Sequence, residues 1–199
     1  ALAILFFAII AFIFKEIVFD IILLGPQKPD FPTYKVLCSM SNFLGLDDAL
    51  CMEVSPFTLQ NISMSGQFSA HITTSIFAGF IVAFPYVFWE FWRFISPALY
   101  DAETKIARGV VFFSSALFLF GVLFGYYVIA PLSVNFLGSY QVSKDVDNII
   151  SLTSFISTVT TVSLANGIIF ELPILVYFLT KIGLLTPEFM RVYRKHAMV

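Results

Sequence analysis

Glu171 is the most unusual chemical group in this sequence. It lies in a run from Ile149 to Thr180 that holds no other charged side chain. If the run crosses a membrane, a carboxylate there costs several kcal/mol unless it is protonated, meets a partner or faces a polar cavity. Pro173 predicts a kink two residues later, because proline lacks a backbone donor. Glu171 is therefore either a functional polar contact on the concave side of a helix bundle or a carboxylate satisfied by nearby Ser, Thr or Asn166 side chains.

A second pairing of an acid with a proline occurs earlier in the chain. Glu90 follows the uncharged run 72–89, which Pro85 breaks. Two interpretations stay open for this carboxylate. It snorkels to the membrane interface or pairs with Arg93 or Arg108, or it belongs to a functional polar site within the bundle.

Two further acids, Asp101 and Glu103, lie in a segment whose other charged residues are basic. Ser96 is suited to cap a helix and Pro97 to occupy its first position, so a short helix is predicted here. The acids are then either first-turn carboxylates favoured by the helix dipole or a carboxylate site for a cationic ligand.

Hydrolytic and metal chemistry is not predicted. His71 and His196 fall at opposite membrane faces, about 30 Å apart, and cannot share a metal or a catalytic site. The hydroxyl-rich stretch 151–163 has no base nearby in sequence, so we interpret it as small polar side chains that pack helices. No HExxH, GxSxG, Walker or GxGxxG motif occurs. We therefore predict neither an enzyme nor a bound metal or cofactor.

The two cysteines, Cys38 and Cys51, lie in the most polar segment of the chain. On an oxidising face they could form a disulfide that stabilises the segment by about 3 kcal/mol. The alternative is two free thiols in a packed cap. Neither belongs to a CxxC pair, which argues against thioredoxin chemistry and metal binding.

The composition requires that these residues be positioned by membrane helices. Of 199 residues, 59% are hydrophobic and 12% are charged, and the mean hydropathy is +0.91. A soluble domain of this size cannot bury so much apolar surface behind so few charges. The same numbers exclude a disordered chain and a nucleic-acid binder with a basic footprint.

The fold class predicted is an all-α polytopic membrane protein, with kinked helices that form a concave bundle under an external cap. Apolar run lengths predict four helical spans in a single domain. Their approximate bounds are 1–14 (partial), 70–92, 108–131 and 149–180. An amphipathic helix is expected to leave the membrane after residue 14. Because the first run is short and begins without Met, we expect the chain to be an internal stretch of a longer protein. Gly121 and Gly125 form a GxxxG face, for packing inside the chain or for dimerisation.

Loop charges predict the orientation. Seven basic residues lie in segments 93–108 and 181–196, against three in the other loops. The positive-inside rule places loops 93–107 and 181–196 and the N-terminus in the cytoplasm. Loops 25–68 and 132–148 are then external.

Four segments of this sequence resemble the TatC family, the core subunit of the twin-arginine protein translocase. They are Phe94–Glu103, which reads FISPALYDAE, Phe84–Trp92, Phe124–Leu132, and Phe170–Pro173 followed by Leu185–Glu188 and Arg191–Lys195. The resemblance covers residues 69–199 well and residues 1–24 loosely. Segment 30–53, which contains both cysteines, looks like an insertion relative to short-loop members.

The resemblance implies six spans, both termini in the cytoplasm and a location in the bacterial cytoplasmic (inner) membrane. It implies a receptor for the twin-arginine signal peptides of folded cargo, driven by the proton-motive force. The partners implied are TatA- and TatB-type single-span subunits, other TatC copies and the lipid bilayer, with no nucleic acid.

The resemblance also assigns roles to individual residues. Glu103 would contact the arginine pair of the signal, and the residues that would shape this site are Phe94, Pro97, Leu99 and Tyr100. Glu171 matches the family's intramembrane glutamate. The alternative to a translocase is a polytopic solute or ion carrier in which Glu171 is the coupling acid. The coupling site of a carrier usually has several charged residues within the spans, whereas this chain has one acid well inside a span. An intramembrane hydrolase is less favoured than a carrier.

Overall fold

A computed structural model gives the fold and describes residues 2–28, 31–44, 59–95, 104–140 and 149–181. It is a mostly helical membrane protein, as predicted. The elements in chain order are α1 (Leu2–Ile13), a π-helical segment (Ile17–Leu23), a 3-10 turn (Gly25–Gln27), α2 (Pro32–Leu44), β1 (Leu59–Gln60), α3 (Gly66–Ile95), α4 (Thr104–Phe124), a second π-helical segment (Gly125–Ile129), α5 (Ala130–Ser139), β2 (Ile150–Ser151) and α6 (Leu152–Lys181).

Three stretches of the described chain are long and apolar enough to cross a membrane. They are Gly66–Phe94, Gly109–Ser139 and Leu152–Tyr177, and the shorter apolar helix is Leu2–Ile13. The third predicted span therefore continues to Ser139, eight residues beyond its predicted end at 131. Pro131 does not stop the helix, because it lies in the first turn of α5, where no backbone donor is needed.

Neither internal proline ends its helix. Pro85 lies inside α3 and Pro173 inside α6, and each of these helices runs for 30 residues. The second predicted span, which includes Pro85, is therefore one continuous helix. Inside a bilayer no water is available to bind free backbone N–H and C=O groups. A helix therefore keeps its remaining hydrogen bonds on both sides of a proline.

Two pairs of helices pack closely. A Cβ on Gly79 of α3 would lie 2.5 Å from the backbone nitrogen of Ala8, so α1 contacts α3 through this glycine. On the other side of the bundle α4 lies against α6. Between these pairs, Phe84 of α3 stacks on the fully buried Phe118 of α4 with ring centroids 3.6 Å apart. The helices thus form one continuous bundle.

The end of the bundle where α3 and α6 begin carries the buried core and a short sheet. β1 pairs with β2 in parallel, with Leu59 opposite Ile150, so α3 and α6 start side by side. The core cluster at this end contains Val18, Leu23, Ala70, Ala130, Val134, Phe155, Ile156 and Val159.

The segment predicted as the outer loop 25–68 contains a helix that the sequence did not reveal. A proline in a polar segment is typical of a turn, yet Pro32 is the first residue of α2. Tyr34 of α2 is buried and donates a hydrogen bond of 2.9 Å to the carbonyl of Pro26. Phe31 stacks on Tyr127 of the second π-helical segment, which attaches the segment to the bundle.

Candidate functional site

One of the predicted signal-binding residues, Phe94, lies at the far end of α3, away from the sheet. Phe94 lies in the last turn of α3 and is 83% exposed. The residues that complete the predicted site, Pro97, Leu99, Tyr100 and Glu103, lie outside the described part of the chain. Because α4 begins at Thr104, this segment joins the end of α3 to the start of α4. Its proposed role stays a prediction.

Glu171 meets a polar partner on the neighbouring helix. The hydroxyl of Ser114 donates a hydrogen bond of 2.6 Å to Glu171 Oε2. Ser114 is fully buried. The second oxygen, Oε1, is also buried and has no hydrogen-bond partner among the described residues. One oxygen of the carboxyl group is therefore held, and the other is available to a proton or to a donor.

The structure bears on the second interpretation of Glu171, in which nearby Ser, Thr or Asn166 side chains satisfy the carboxylate. A serine side chain binds one carboxylate oxygen, but this serine lies on α4 rather than among the residues near Glu171 in sequence. Asn166, the other partner considered, does not take part, because its amide donates instead to the carbonyl of Val162 at 2.9 Å.

Ser114 was missed from the sequence, because its level relative to Glu171 depends on helix ends that only the structure gives. It lies ten residues after Thr104, where α4 begins, and Glu171 lies ten residues before Lys181, where α6 ends. Since α4 and α6 run antiparallel, equal distances from the same end place the two side chains at one level. A hydroxyl at the level of an isolated carboxylate is the expected partner.

Three glycines bring α4 and α6 close enough for this hydrogen bond. A Cβ on Gly121 would lie 2.8 Å from the carbonyl oxygen of Asn166, and one on Gly125 would lie 2.9 Å from Ser163 Cα. Gly167 of α6 faces Val122 of α4 at 2.6 Å in the same way. The GxxxG face thus packs inside the chain, which is the favoured one of the two interpretations.

Glu90 has a nearby basic partner but little burial. Arg93 Nη1 lies 3.9 Å from Glu90 Oε1, and both side chains are exposed. An exposed ion pair of this kind contributes about 0–1 kcal/mol. The structure thus offers Glu90 the surface pairing with Arg93 that the sequence suggested, at the same end of α3 as Phe94.

A cavity of about 380 Å³ lies between α3, α4, α6 and the first π-helical segment. Its walls are mainly apolar, with Phe77 and Ile81 from α3 and Val122 from α4. Thr74 also lines it, and the buried Thr74 hydroxyl has no hydrogen-bond partner among the described residues. The cavity lies between Glu171 and the end of the bundle that carries the sheet.

His71 joins α1 to α3 rather than serving a catalytic site. Its ring stacks on Phe12 with centroids 4.0 Å apart and meets Phe19 edge to face. Nε2 lies 3.2 Å from the carbonyl of Phe12, and since a carbonyl only accepts, Nε2 is the donor. His196 lies outside the described residues. In the described part of the chain, no group of three or more His, Cys, Asp or Glu side chains could hold a metal ion.

The hydroxyl-rich stretch of α6 mostly satisfies its own helix. Thr158, Thr160 and Ser163 donate to carbonyls four residues earlier, at 2.9, 2.7 and 2.7 Å. These hydroxyls are therefore occupied by carbonyl oxygens of their own helix rather than by a catalytic base.

Cys38 lies in α2 and is disulfide-bonded. Its predicted partner, Cys51, lies outside the described residues, so the pairing itself stays a prediction.

Comparison with known proteins identifies the family. The model of the family described as "Sec-independent protein translocase protein (TatC)" matches residues 1–199. The chain is 40% identical over 186 residues to the TatC protein of Blattabacterium sp. subsp. Periplaneta americana, covering 93% of this chain and 70% of that protein. It is 39% identical over 128 residues to the TatC protein of Helicobacter pylori, covering 64% of this chain and 51% of that protein.

Solved structures agree with the sequence relatives. A crystal structure of the twin-arginine translocase receptor TatC aligns with a TM-score of 0.70 and 30% identity, covering 98% of this chain and 75% of that one. A second crystal structure of a TatC receptor aligns with a TM-score of 0.64 and 28% identity. The fold, the four motif segments and these relatives agree, and the chain belongs to the TatC family of Sec-independent protein translocase proteins.

Proposed function

We propose that this chain is the signal-peptide receptor and core of a twin-arginine translocase that exports folded proteins. The observation that carries the proposal is the likeness, over 98% of the chain, to a crystal structure of a twin-arginine translocase receptor. This likeness favours a translocase over the carrier alternative, which rests on Glu171 and on the prolines within the spans. The proposal includes the bacterial cytoplasmic membrane, a cytoplasmic N-terminus and transport driven by the proton-motive force.

Glu103 is the proposed contact for the arginine pair of the signal. A guanidinium group presents a planar fork of donors that matches a carboxylate with two parallel hydrogen bonds. A lysine has the same charge but lacks this fork. Discrimination between an Arg-Arg and a Lys-Lys signal is therefore proposed to come from geometry at Glu103 rather than from net charge.

An exposed carboxylate alone does not provide useful affinity. A solvent-exposed ion pair contributes about 0–1 kcal/mol, which corresponds to at most about a fivefold change in Kd. The remainder is proposed to come from the apolar stretch of the signal lying along the second and third spans. Exposed aromatic side chains near the end of α3 and the start of α4 support this proposal. They include Phe91, Phe94, Phe112 and Phe113.

The proposed partners are TatA- and TatB-type single-span subunits and other copies of the same protein. The buried carboxyl of Glu171 supports a contact inside the membrane, because a buried acceptor without a partner favours the approach of a donor. No catalytic reaction and no cofactor is proposed.

The receptor proposal is tested by peptide binding to the intact protein in nanodiscs. A labelled twin-arginine signal peptide and its Lys-Lys counterpart are titrated against the unmodified protein, Glu103→Gln and the matched control Asp101→Asn. We expect the Arg-Arg peptide to bind about twofold to fivefold more tightly, and Glu103→Gln to erase that difference. Asp101→Asn should keep it.

Equal binding of the two peptides to the unmodified protein would contradict the receptor proposal. Loss of the preference in Asp101→Asn alone would move the contact to Asp101. Transport assays then rank the two acids: Glu103→Ala should abolish export of twin-arginine cargo, and Glu171→Ala should reduce it less. A larger defect for Glu171 would place the centre of the mechanism inside the membrane.

A further inference from the structure

The hydrogen bond between Ser114 and Glu171 is unusual among the helical hydroxyls of this chain. A serine or threonine inside a helix ordinarily donates to the carbonyl four residues earlier. Ser75, Thr160 and Ser163 follow this pattern, at 2.8, 2.7 and 2.7 Å. Ser114 instead donates across to another helix, at 2.6 Å. Its own helix therefore does not compete for this proton.

We infer that Ser114 is the positioning residue of Glu171. By holding Oε2, its hydroxyl fixes the rotation of the carboxyl group about its last side-chain bond. This leaves Oε1 as the atom that receives a proton or an incoming hydrogen-bond donor. Ser114 itself contacts neither signal nor cargo in this assignment, which rests on the proposed role of Glu171 in transport.

The packing around Ser114 and Glu171 holds the two side chains rigidly in place. Ser114 is fully buried, and the glycines at 121, 125 and 167 hold α4 and α6 at close approach. Neither helix can move away without opening these contacts. The carboxyl group is therefore held by one short hydrogen bond between two fixed backbones, rather than by a flexible surface side chain.

The neighbouring residue provides a matched control. Ser115 is also nearly buried, and its hydroxyl has no hydrogen-bond partner among the described residues. Ser114→Ala and Ser115→Ala each remove one buried hydroxyl from adjacent positions of the same helix. The two variants differ in the bond to Glu171, so a shared loss of packing would affect both.

The test combines infrared spectroscopy with transport in the intact protein. The Glu171 carboxyl band is identified in nanodiscs as the band lost in Glu171→Gln. Ser114→Ala should shift this band to higher wavenumber and reduce export of twin-arginine cargo about threefold to tenfold. Ser114→Thr keeps a hydroxyl and should restore both readouts, and Ser115→Ala should change neither.

Three results would overturn the inference. They are an unmoved band in Ser114→Ala, an equal shift in Ser115→Ala, and normal transport in Ser114→Ala. Because the band is read without any signal peptide, failure of the receptor proposal would be seen separately, as equal binding of the Arg-Arg and Lys-Lys peptides by the unmodified protein.

Discussion

A methyl group added at the seam between α4 and α6 is expected to destabilise the bundle. In Gly121→Ala the new Cβ would lie 2.8 Å from the carbonyl oxygen of Asn166 and 2.8 Å from Phe170 Cβ. One of these atoms is backbone, so the helices must separate by a few tenths of an ångström. Overpacking of this kind costs about 1–3 kcal/mol. Replacing a helical glycine by alanine returns up to about 1 kcal/mol of helix propensity.

Gly109→Ala is the control for helix propensity, because it makes the same glycine-to-alanine change without the close contact. Gly109 lies in the same helix, and a Cβ there would meet nothing within 4 Å. The difference in free energy of unfolding between Gly121→Ala and Gly109→Ala should therefore equal the packing cost, about 1–3 kcal/mol. Unfolding is followed by tryptophan fluorescence during SDS titration of the protein in mixed micelles.

The kind of atom met by each new methyl group predicts an order among the seam variants. Gly125→Ala also meets backbone, at Ser163 Cα 2.9 Å away, whereas Gly167→Ala meets the side-chain ends of Val122 and Phe118. Side-chain ends can rotate, so Gly167→Ala should cost less than the other two. If Gly121→Ala and Gly109→Ala unfold within about 0.5 kcal/mol of each other, the close approach of α4 and α6 does not stabilise the protein, and this reasoning fails.

The attachments of α2 and α1 give two further predictions. Tyr34→Phe removes the donor to the buried Pro26 carbonyl and should lower the stability of α2 by about 1 kcal/mol, measured by amide hydrogen exchange. Burial raises the pKa of the Tyr34 phenol above its ordinary 10.0, so this stabilisation is present at neutral pH and is lost as the pH rises past 10. Protection factors in α2, corrected for the base-catalysed intrinsic exchange rate, should fall there in the unmodified protein but not in Tyr34→Phe. His71→Phe keeps the stacking on Phe12 and loses the hydrogen bond, so it should cost about 1 kcal/mol on SDS titration, while His71→Ala loses both and should cost about 2 kcal/mol. Equal losses in the two His71 variants would show that the ring stacking contributes nothing.

The long helices could be predicted from the sequence because they depend on composition over about 20 residues. An uncharged run of that length has one stable form in a bilayer, whatever its neighbours are. The same argument marks Glu171, since an isolated acid in such a run requires an explanation. The end of the third span is less well determined by composition, because the chain stays uncharged from Gly109 to Ser143, and the structure has Pro131 in the first turn of α5.

The parts that could not be predicted depend on contacts between distant segments. β1 and β2 have two residues each, too few to show an alternating pattern, and they pair across 91 positions from Leu59 to Ile150. α2 begins with a proline that is equally typical of a turn. The bond from Ser114 to Glu171 joins residues 57 positions apart and needed the antiparallel register of two helices. Each of these features has a local pattern that fits two structures, and only the tertiary packing selects between them.

The two ends of the described bundle differ in how firmly they are held. The buried core, the strand pair and the attachment of α2 all lie at the end where α3 and α6 begin. At the opposite end Phe91, Phe94 and Phe113 are exposed, and the ion pair of Glu90 with Arg93 is a surface contact. Local stability follows buried contacts, so this second end should open and adapt at lower cost. Under the receptor proposal the signal binds there, whereas the hydrogen bond of Ser114 to Glu171 lies further along α4 and α6.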